Sequence, residues 1–363
     1  FVLFLVAESH FYKLFYKLLM SKATPTHGLV KDPDLPVTAD GVTYHLNCKS
    51  DQLADRILLV GDPGRVDTVA AYFDAGSVRF RSENREIFIA TGTYKGTPVS
   101  VLSTGMGTDN VEIVINEIHV LKEYDFERSA WRPRAGDANV PAGVKVFDPS
   151  SVKMIRVGTC GSPYPDMPLA ALAVTRHVIG MDNTCLYYKV KEEMQKSKDL
   201  QEVQRVVKEQ TSLGAIDVYA TKAHPAITNG IVAACKTFNG NLPAGAKEQL
   251  YVVGATATAS GFYACQGRAV GRFREHLLAP KLVEELSKVQ FDVSEGKEIV
   301  ANIEMETSAV CFLSHLLGYQ AGSMCVVVAK RAGAEHLFTT SEQSGQGLKN
   351  AIQIALEAIV ALQ

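Results

Sequence analysis

The sequence has almost no charge imbalance: 37 Lys and Arg face 39 Asp and Glu, leaving −2 at pH 7 and an isoelectric point near 6.5. That removes the basic field a nucleic-acid or anionic-membrane binder needs, so any anion has to be gripped locally. The seven cysteines are odd in number, widely spaced and without a CxxC pair, which argues against a disulfide framework and a zinc site. They fit a reducing compartment, and the cytosol is the expectation. There is no internal repeat and no Gly-Lys-Ser/Thr phosphate loop. The leader, residues 1–19, has neither an initiating Met nor the positive n-region and small-residue cleavage site of a secretory signal. It reads as upstream sequence ahead of a start at Met20, with an amphipathic interfacial helix as the alternative. Residues 21–40, rich in Pro, Thr and Asp, are expected to be flexible, so that residues 1–40 lie outside the fold. What is present is 47% hydrophobic residues in 363, ample for one large α/β domain or two smaller ones.

Along the chain, apolar runs end repeatedly in glycine-rich turns. Arg56-Ile57-Leu58-Leu59-Val60 reads as a strand buried on both faces, followed by Gly61-Asp62-Pro63-Gly64-Arg65 and a helix over Val66–Phe73. Gly61 allows close backbone approach and Arg65 can fork onto an oxyanion, although the segment also reads as a plain Gly-Pro turn. Strands over Ile87–Ala90 and Val99–Leu102 follow, the second running into Ser103-Thr104-Gly105-Met106-Gly107-Thr108 and a helix marked by Val111, Val114, Ile115, Ile118 and Leu121. Residues 127–150, with the only Trp, read as a long surface loop. The strand Val152–Val157 carries Arg156 in mid-run and leads to Gly158-Thr159-Cys160-Gly161-Ser162. A guanidinium in an apolar strand is costly unless it meets an anion or a carboxylate, and neither Arg65 nor Arg156 has an evident acidic partner in the sequence.

Residues Lys191–Gln210 read as a solvated, charged helix. A strand over Gln249–Val253 leads to Gly254–Gly261 and then to Phe262, Gln266 and Arg268. That set can stack on a flat heterocycle and bond an amide-like edge, or it can anchor its own loop in the core. In Glu304-Met305-Glu306 two carboxylates share a face if the backbone is extended and can accept from paired hydroxyls, with Met305 lying against a sugar face. The alternative is that Glu306 only opens the helix that follows. A strand over Met324–Ala329 and a helix over Leu348–Leu362 complete the chain. Anion, sugar and planar ring are the three parts these groups suit.

From about His45 to the C-terminus the chain resembles the nucleoside phosphorylase family, and is most similar to its uridine phosphorylase branch. The GDP-x-R loop, the R-x-G-T-x-G segment, the E-M-E segment and an F-x-x-x-Q-x-R signature carry the resemblance. It implies a single-domain three-layer α/β/α sandwich around a mixed sheet over residues 41–363, with an insertion near 127–150. It implies phosphate binding by Gly61, Arg65, Arg156 and Thr159, ribose binding by Glu304, Met305 and Glu306, and base binding by Phe262, Gln266 and Arg268. Arg85 and His45 match residues that the family lends across a dimer to the neighbouring phosphate and ribose sites. Glu86 and Asn110 match the positions of an interface cation, with no other cofactor required.

The implied reaction is reversible phosphorolysis of uridine, with deoxyuridine and thymidine as further candidates, in pyrimidine salvage by a cytosolic homodimer or higher oligomer. Arg65, Arg156, Glu306 and Arg268 would carry it. No nucleic acid or membrane partner is implied. Ala264-Cys265 replaces the Pro-Gly common inside the pyrimidine loop, which bears on base tolerance. Ala329-Lys330-Arg331 stands where purine-cleaving relatives carry an acid, which disfavours purines. The rival readings are a purine phosphorylase or nucleosidase of this fold, and a nucleoside-binding protein without catalysis.

Overall fold

In the computed structural model the described residues are 34–138, 140, 143–332 and 338–362. The expectation for residues 1–33, and that for 139, 141 and 142 within the insertion, falls outside them. One mixed sheet carries β1 (Arg56–Val60), β2 (Phe80–Asn84), β3 (Ile87–Tyr94) and β4 (Thr97–Ser103) at one end. A hairpin apart from that sheet pairs β5 (Tyr124–Asp125) with β6 (Ala130–Trp131). The main sheet continues with β7 (Lys153–Ser162), β8 (Leu172–Gly180), β9 (Tyr219–Lys222), β10 (Tyr251–Thr258), β11 (Gln290–Val293), β12 (Gly296–Glu304) and β13 (Gln320–Lys330). Its order is β11-β12-β10-β8-β13-β7-β1-β4-β3-β2, with β9 on β8.

Alternate side chains of β1 enter opposite cores, as period-two geometry requires. Leu58 and Val60 pack with α1 (Gly64–Ala70), and across the sheet α2 (Thr108–Glu123) meets Ile57 and Leu59. The short α3 (Glu192–Lys196) and α4 (Lys198–Gln210) follow, and α5 (Pro225–Gly240) joins the Leu58 layer. Beyond α6 (Leu282–Leu286), α7 (Thr307–Leu317) joins the Ile57 layer and α8 (Ser341–Ala361) the Leu58 layer. This is the expected three-layer architecture.

Three local expectations are corrected. Glycines 158, 161 and 254 lie inside strands, because β7 and β10 run on past the segments read as turns. The charged face of α4 is only one side of it, since Leu200, Val203, Val206 and Val207 are buried. Leu35 and Val37 are buried against Val120 and Tyr124, so the packed fold includes residues before 41. One non-local feature matters most for function. Besides its parallel pairing with β10, β12 meets β7 antiparallel at Ile303–Gly161, which closes β7, β13, β8, β10 and β12 into a ring.

The 127–150 insertion is tied to α2 through Glu123. This buried carboxylate accepts from Arg134 Nε at 2.7 Å and from Tyr319 Oη at 2.6 Å, and lies 3.0 Å from His119 Nδ1. His119 in turn stacks on Trp131 with ring centroids 4.6 Å apart. Burial pushes the Glu123 carboxyl up, but the bonds from His119, Arg134 and Tyr319 outweigh it and hold its pKa at about 2, against an ordinary 4.5. A depressed folded pKa means stabilisation that is present above about 4.5 and lost as pH falls towards 2. Glu123→Gln should therefore cost on the order of 2–3 kcal/mol at neutral pH and flatten the acid limb of stability. Urea unfolding from pH 7 to 2 measures this, and an acid limb as steep as wild type would overturn the assignment.

Candidate active site

A cavity of about 770 Å³ opens at the carboxyl ends of the central strands. It is lined by Gly61, Arg65, Arg156 and Thr159 on one side, by Glu304, Met305 and Glu306 beneath, and by Phe262, Gln266 and Arg268 opposite. Four segments read separately along the chain thus share one space, as expected for ligands at strand ends in α/β sheets. Met106, Val328 and Phe338 add apolar surface, and Glu86 and Asn110 stand at the same cavity.

Its floor is an ion triad. Arg156 projects from β7 and, though buried, has the acidic partners the sequence did not reveal: Nη1 lies 3.1 Å from Glu304 Oε2, and Nη2 binds Glu306 Oε2. A third contact runs from Nη1 to Cys325 Sγ at 3.0 Å. Burial works against the Arg156 charge, but Glu306, Cys325 and Glu304 outweigh it and hold the guanidinium protonated. Gly158 makes room for this chain, since a Cβ there would sit 2.3 Å from Arg156 Nη1.

The two glutamates differ in how they are committed. Glu304 caps α7: its carboxylate accepts from the backbone N–H of Glu306 at 2.9 Å and of Thr307 at 3.0 Å, and from Thr258 Oγ1 at 2.6 Å. With Arg156 added, its oxygens are spent inside the protein, which marks it as a positioning group. Glu306 keeps more capacity, binding Arg156 and the Gly107 N–H, which donates to Oε1 at 2.8 Å. Gly107 has φ +94° and Gly105 φ +70°, so the turn after β4 can aim that N–H inward. Burial raises the Glu306 pKa against the pull of Arg156.

The side chain of Arg65, in the first turn of α1, has no ion-pair or hydrogen-bond partner among the described residues. Burial and the like charge of Arg156 lower its pKa, though Asp62 acts the other way. It is the cation left open to an anion beside the Gly61 backbone. At the opposite wall, Arg268 stacks on Phe262, its guanidinium carbon 4.0 Å from the ring centroid, so one ring face expected for a heterocycle is already taken. Arg268 Nε is buried without a partner. Gln266 is oriented by Arg331, which donates to its Oε1 at 3.2 Å and its backbone oxygen at 2.9 Å.

Arg331 stands behind the cavity wall as the support of Gln266, and in the sequence it shows only as the lack of an acid. It packs over Gly161, where a Cβ would come within 2.8 Å of its Cγ, so the two glycines of R-x-G-T-x-G each seat an arginine. Burial and neighbouring Arg268 lower the Arg331 pKa to about 10.

Arg85 and His45 do not line this cavity. They form a separate surface group with exposed Tyr44, which Arg85 overlies at 5.6 Å from the ring centroid. Arg85 occupies the tight β2–β3 turn at φ +54°, and it forms no salt bridge with Glu83 or Glu86 among the described residues. His45 Nδ1 lies 2.6 Å from Glu117 Oε1, and the same carboxylate accepts the His45 and Leu46 N–H groups.

The triad makes the two cavity arginines energetically unequal. Arg156→Met should lose about 3–5 kcal/mol, because two buried carboxylates lose their cation. Arg65→Met, which strands no buried partner, should lose less than about 1 kcal/mol. Equal losses in chemical denaturation would refute the triad as the anchor of the site.

Comparison with known proteins agrees with this geometry. A family model described as "Phosphorylase superfamily" matches residues 55–361. The uridine phosphorylase of Thermococcus kodakarensis is 27% identical over 328 residues, 90% of this chain and 89% of that protein. A crystal structure of a Trypanosoma brucei nucleoside phosphorylase, described as showing uridine phosphorylase activity, is 59% identical with a TM-score of 0.87, covering 90% of this chain and 100% of that one. Similarity to a DeoD-type purine nucleoside phosphorylase of Geobacillus kaustophilus is local: 36% identity over 126 residues, 35% of this chain and 42% of that protein.

Proposed function

The chain belongs to the phosphorylase superfamily, and on that premise we propose that its cavity performs the reversible phosphorolysis of uridine to uracil and ribose 1-phosphate. The observation that carries this reading is the cavity's polarity. An unpaired guanidinium, Arg65, stands at one end, Gln266 and Arg268 stand at the other with no acid beside them at that wall, and Glu306 lies on the floor between. The Trypanosoma brucei protein's described activity supports the same choice of base.

In this reading phosphate sits against Arg65, the Gly61 backbone and Thr159, with Arg156 behind it. It attacks the anomeric carbon of a ribose whose hydroxyls bond Glu306 and whose face rests on Met305. Negative charge building on the leaving uracil is met by Gln266 and Arg268, so no general acid is needed. A second copy of the chain supplies Arg85 to the phosphate and His45 to the ribose, in the manner of a twofold contact. An ion at that contact would have Glu86 and Asn110 as oxygen donors. Both side chains lean over Gly105, and a twofold axis would double them to four, a set suited to a hard cation that offsets interface charge. The free state of all seven cysteines is in keeping with a cytosolic setting, and no helix among the described residues is long and apolar enough to cross a membrane.

The direct test is base release from uridine with and without phosphate, followed by deoxyuridine, thymidine, inosine and adenosine. Cleavage of uridine that requires phosphate is expected, with Arg65→Ala losing about one to two decades in phosphate efficiency. Phosphate-independent release would indicate a nucleosidase, preference for inosine or adenosine a purine phosphorylase, and no turnover a binding protein. The shared site has its own test. Arg85→Ala and Glu306→Ala, each inactive, are unfolded and refolded together, and about a quarter of all sites should then be intact. Activity no higher than that of the parents would show that each chain completes its site alone.

A further inference from the structure

Outside the cavity, a second cluster gathers where β8, the start of α4 and the turn between β11 and β12 meet. A ring nitrogen of His177, a carboxylate oxygen of Asp199 and one of Glu295 all lie within 4.8 Å of one another. His177 is 1% exposed and forms the base, Asp199 is half-buried, and Glu295 is exposed at the rim, so the cluster opens to solvent on one side only. His177 makes its one side-chain hydrogen bond to neither of these acids. Its Nδ1 lies 3.1 Å from Glu298 Oε2, whose carboxylate also accepts from the His177 N–H at 3.3 Å and from Arg176 Nη1 at 3.2 Å.

A proton on Nδ1 facing that buried carboxylate would leave Nε2 free to ligate, and Nε2 has no hydrogen-bond partner among the described residues. A carboxylate behind a ligating histidine is the usual means of fixing its tautomer and raising its basicity. The acids are held as firmly. Ser294 donates its N–H to Asp199 Oδ1 at 3.0 Å and contacts Asp199 Oδ2 at 2.6 Å and Glu295 Oε2 at 2.8 Å through its hydroxyl. Glu298 is offset by Arg176, which also lies near Glu295, and Lys222 lies near Asp199, but neither Asp199 nor Glu295 forms a salt bridge with these cations among the described residues. The three donors are therefore close yet not bonded to one another, at the separations that ligands about 2.0–2.4 Å from a shared cation would have.

We propose that His177, Asp199 and Glu295 form a divalent-cation site, with Glu298 orienting His177. An imidazole nitrogen with two carboxylates favours a borderline ion such as zinc over calcium, which takes oxygen donors. The ion staples the first turn of α4 and the β11–β12 turn to β8. Its place is the outer end of β12, the strand whose other end carries Glu304.

The test is isothermal titration of zinc chloride into chelator-stripped, dialysed full-length protein carrying Cys265→Ser, which removes the exposed thiol. One zinc per chain is expected, with a rise in the thermal unfolding midpoint. Asp199→Asn and Glu295→Gln, both at accessible positions, should each weaken binding at least tenfold, and Glu298→Gln by about 10- to 100-fold. Glu86→Gln, at the separate interface position, should leave it unchanged. No zinc uptake, wild-type affinity in both the Asp199 and Glu295 variants, or a preference for calcium would overturn the assignment. None of these readouts depends on turnover, so they stand apart from the test of the reaction.

Discussion

A single guanidinium held between two carboxylates is the interaction on which the rest of the site depends. Arg156 is buried, and so are Glu304 and Glu306; none of the three could stay ionised there alone. Together they commit β7, the end of β12 and the start of α7 to one arrangement. Glu304 caps that helix with the same oxygens that meet Arg156, so the triad and the helix start are one hydrogen-bonded unit. Such a triad is weak evidence of net stabilisation, but it fixes where the remaining valence of Glu306 points.

The sheet's curling makes the triad reachable. Residues 156 and 306 are far apart in the chain and meet because β12 touches β7 at Ile303–Gly161 and closes the ring. The glycines of β7 then act as seats rather than hinges. Gly158 leaves space for Arg156, and Gly161 for Arg331, whose hydrogen bonds set Gln266 at the opposite wall. One strand therefore organises both the Arg156 floor and the Gln266 wall of the cavity. With both Nη groups of Arg156 engaged by Glu304, Glu306 and Cys325, and only its Nε unpartnered, the open guanidinium on that side of the cavity is that of Arg65.

The group of Tyr44, His45 and Arg85 has the opposite character. It is held by Glu117 and a left-handed turn, and it does not line its own chain's cavity. Its partners are local: Glu117 holds His45, and Arg85 lies over Tyr44. The His177 cluster sits elsewhere again, on the outer turns of the sheet.

Much of this protein is set by sequence alone. The Arg56–Val60 strand, the α2 face of Val111, Val114, Ile115, Ile118 and Leu121, and the four motifs that line the cavity are all legible, because local periodicity and short spacings record local backbone choices. What the sequence does not contain is which distant segments pair. The acidic partner Glu306 of Arg156 lies 150 residues away, β8 hides its strand period behind Arg176 and His177, and Arg331 looks like a missing acid rather than a support for Gln266. Those assignments are contacts between strands, fixed by sheet order, register and ring closure. They exist only once tertiary burial makes an unpaired charge too costly to leave alone.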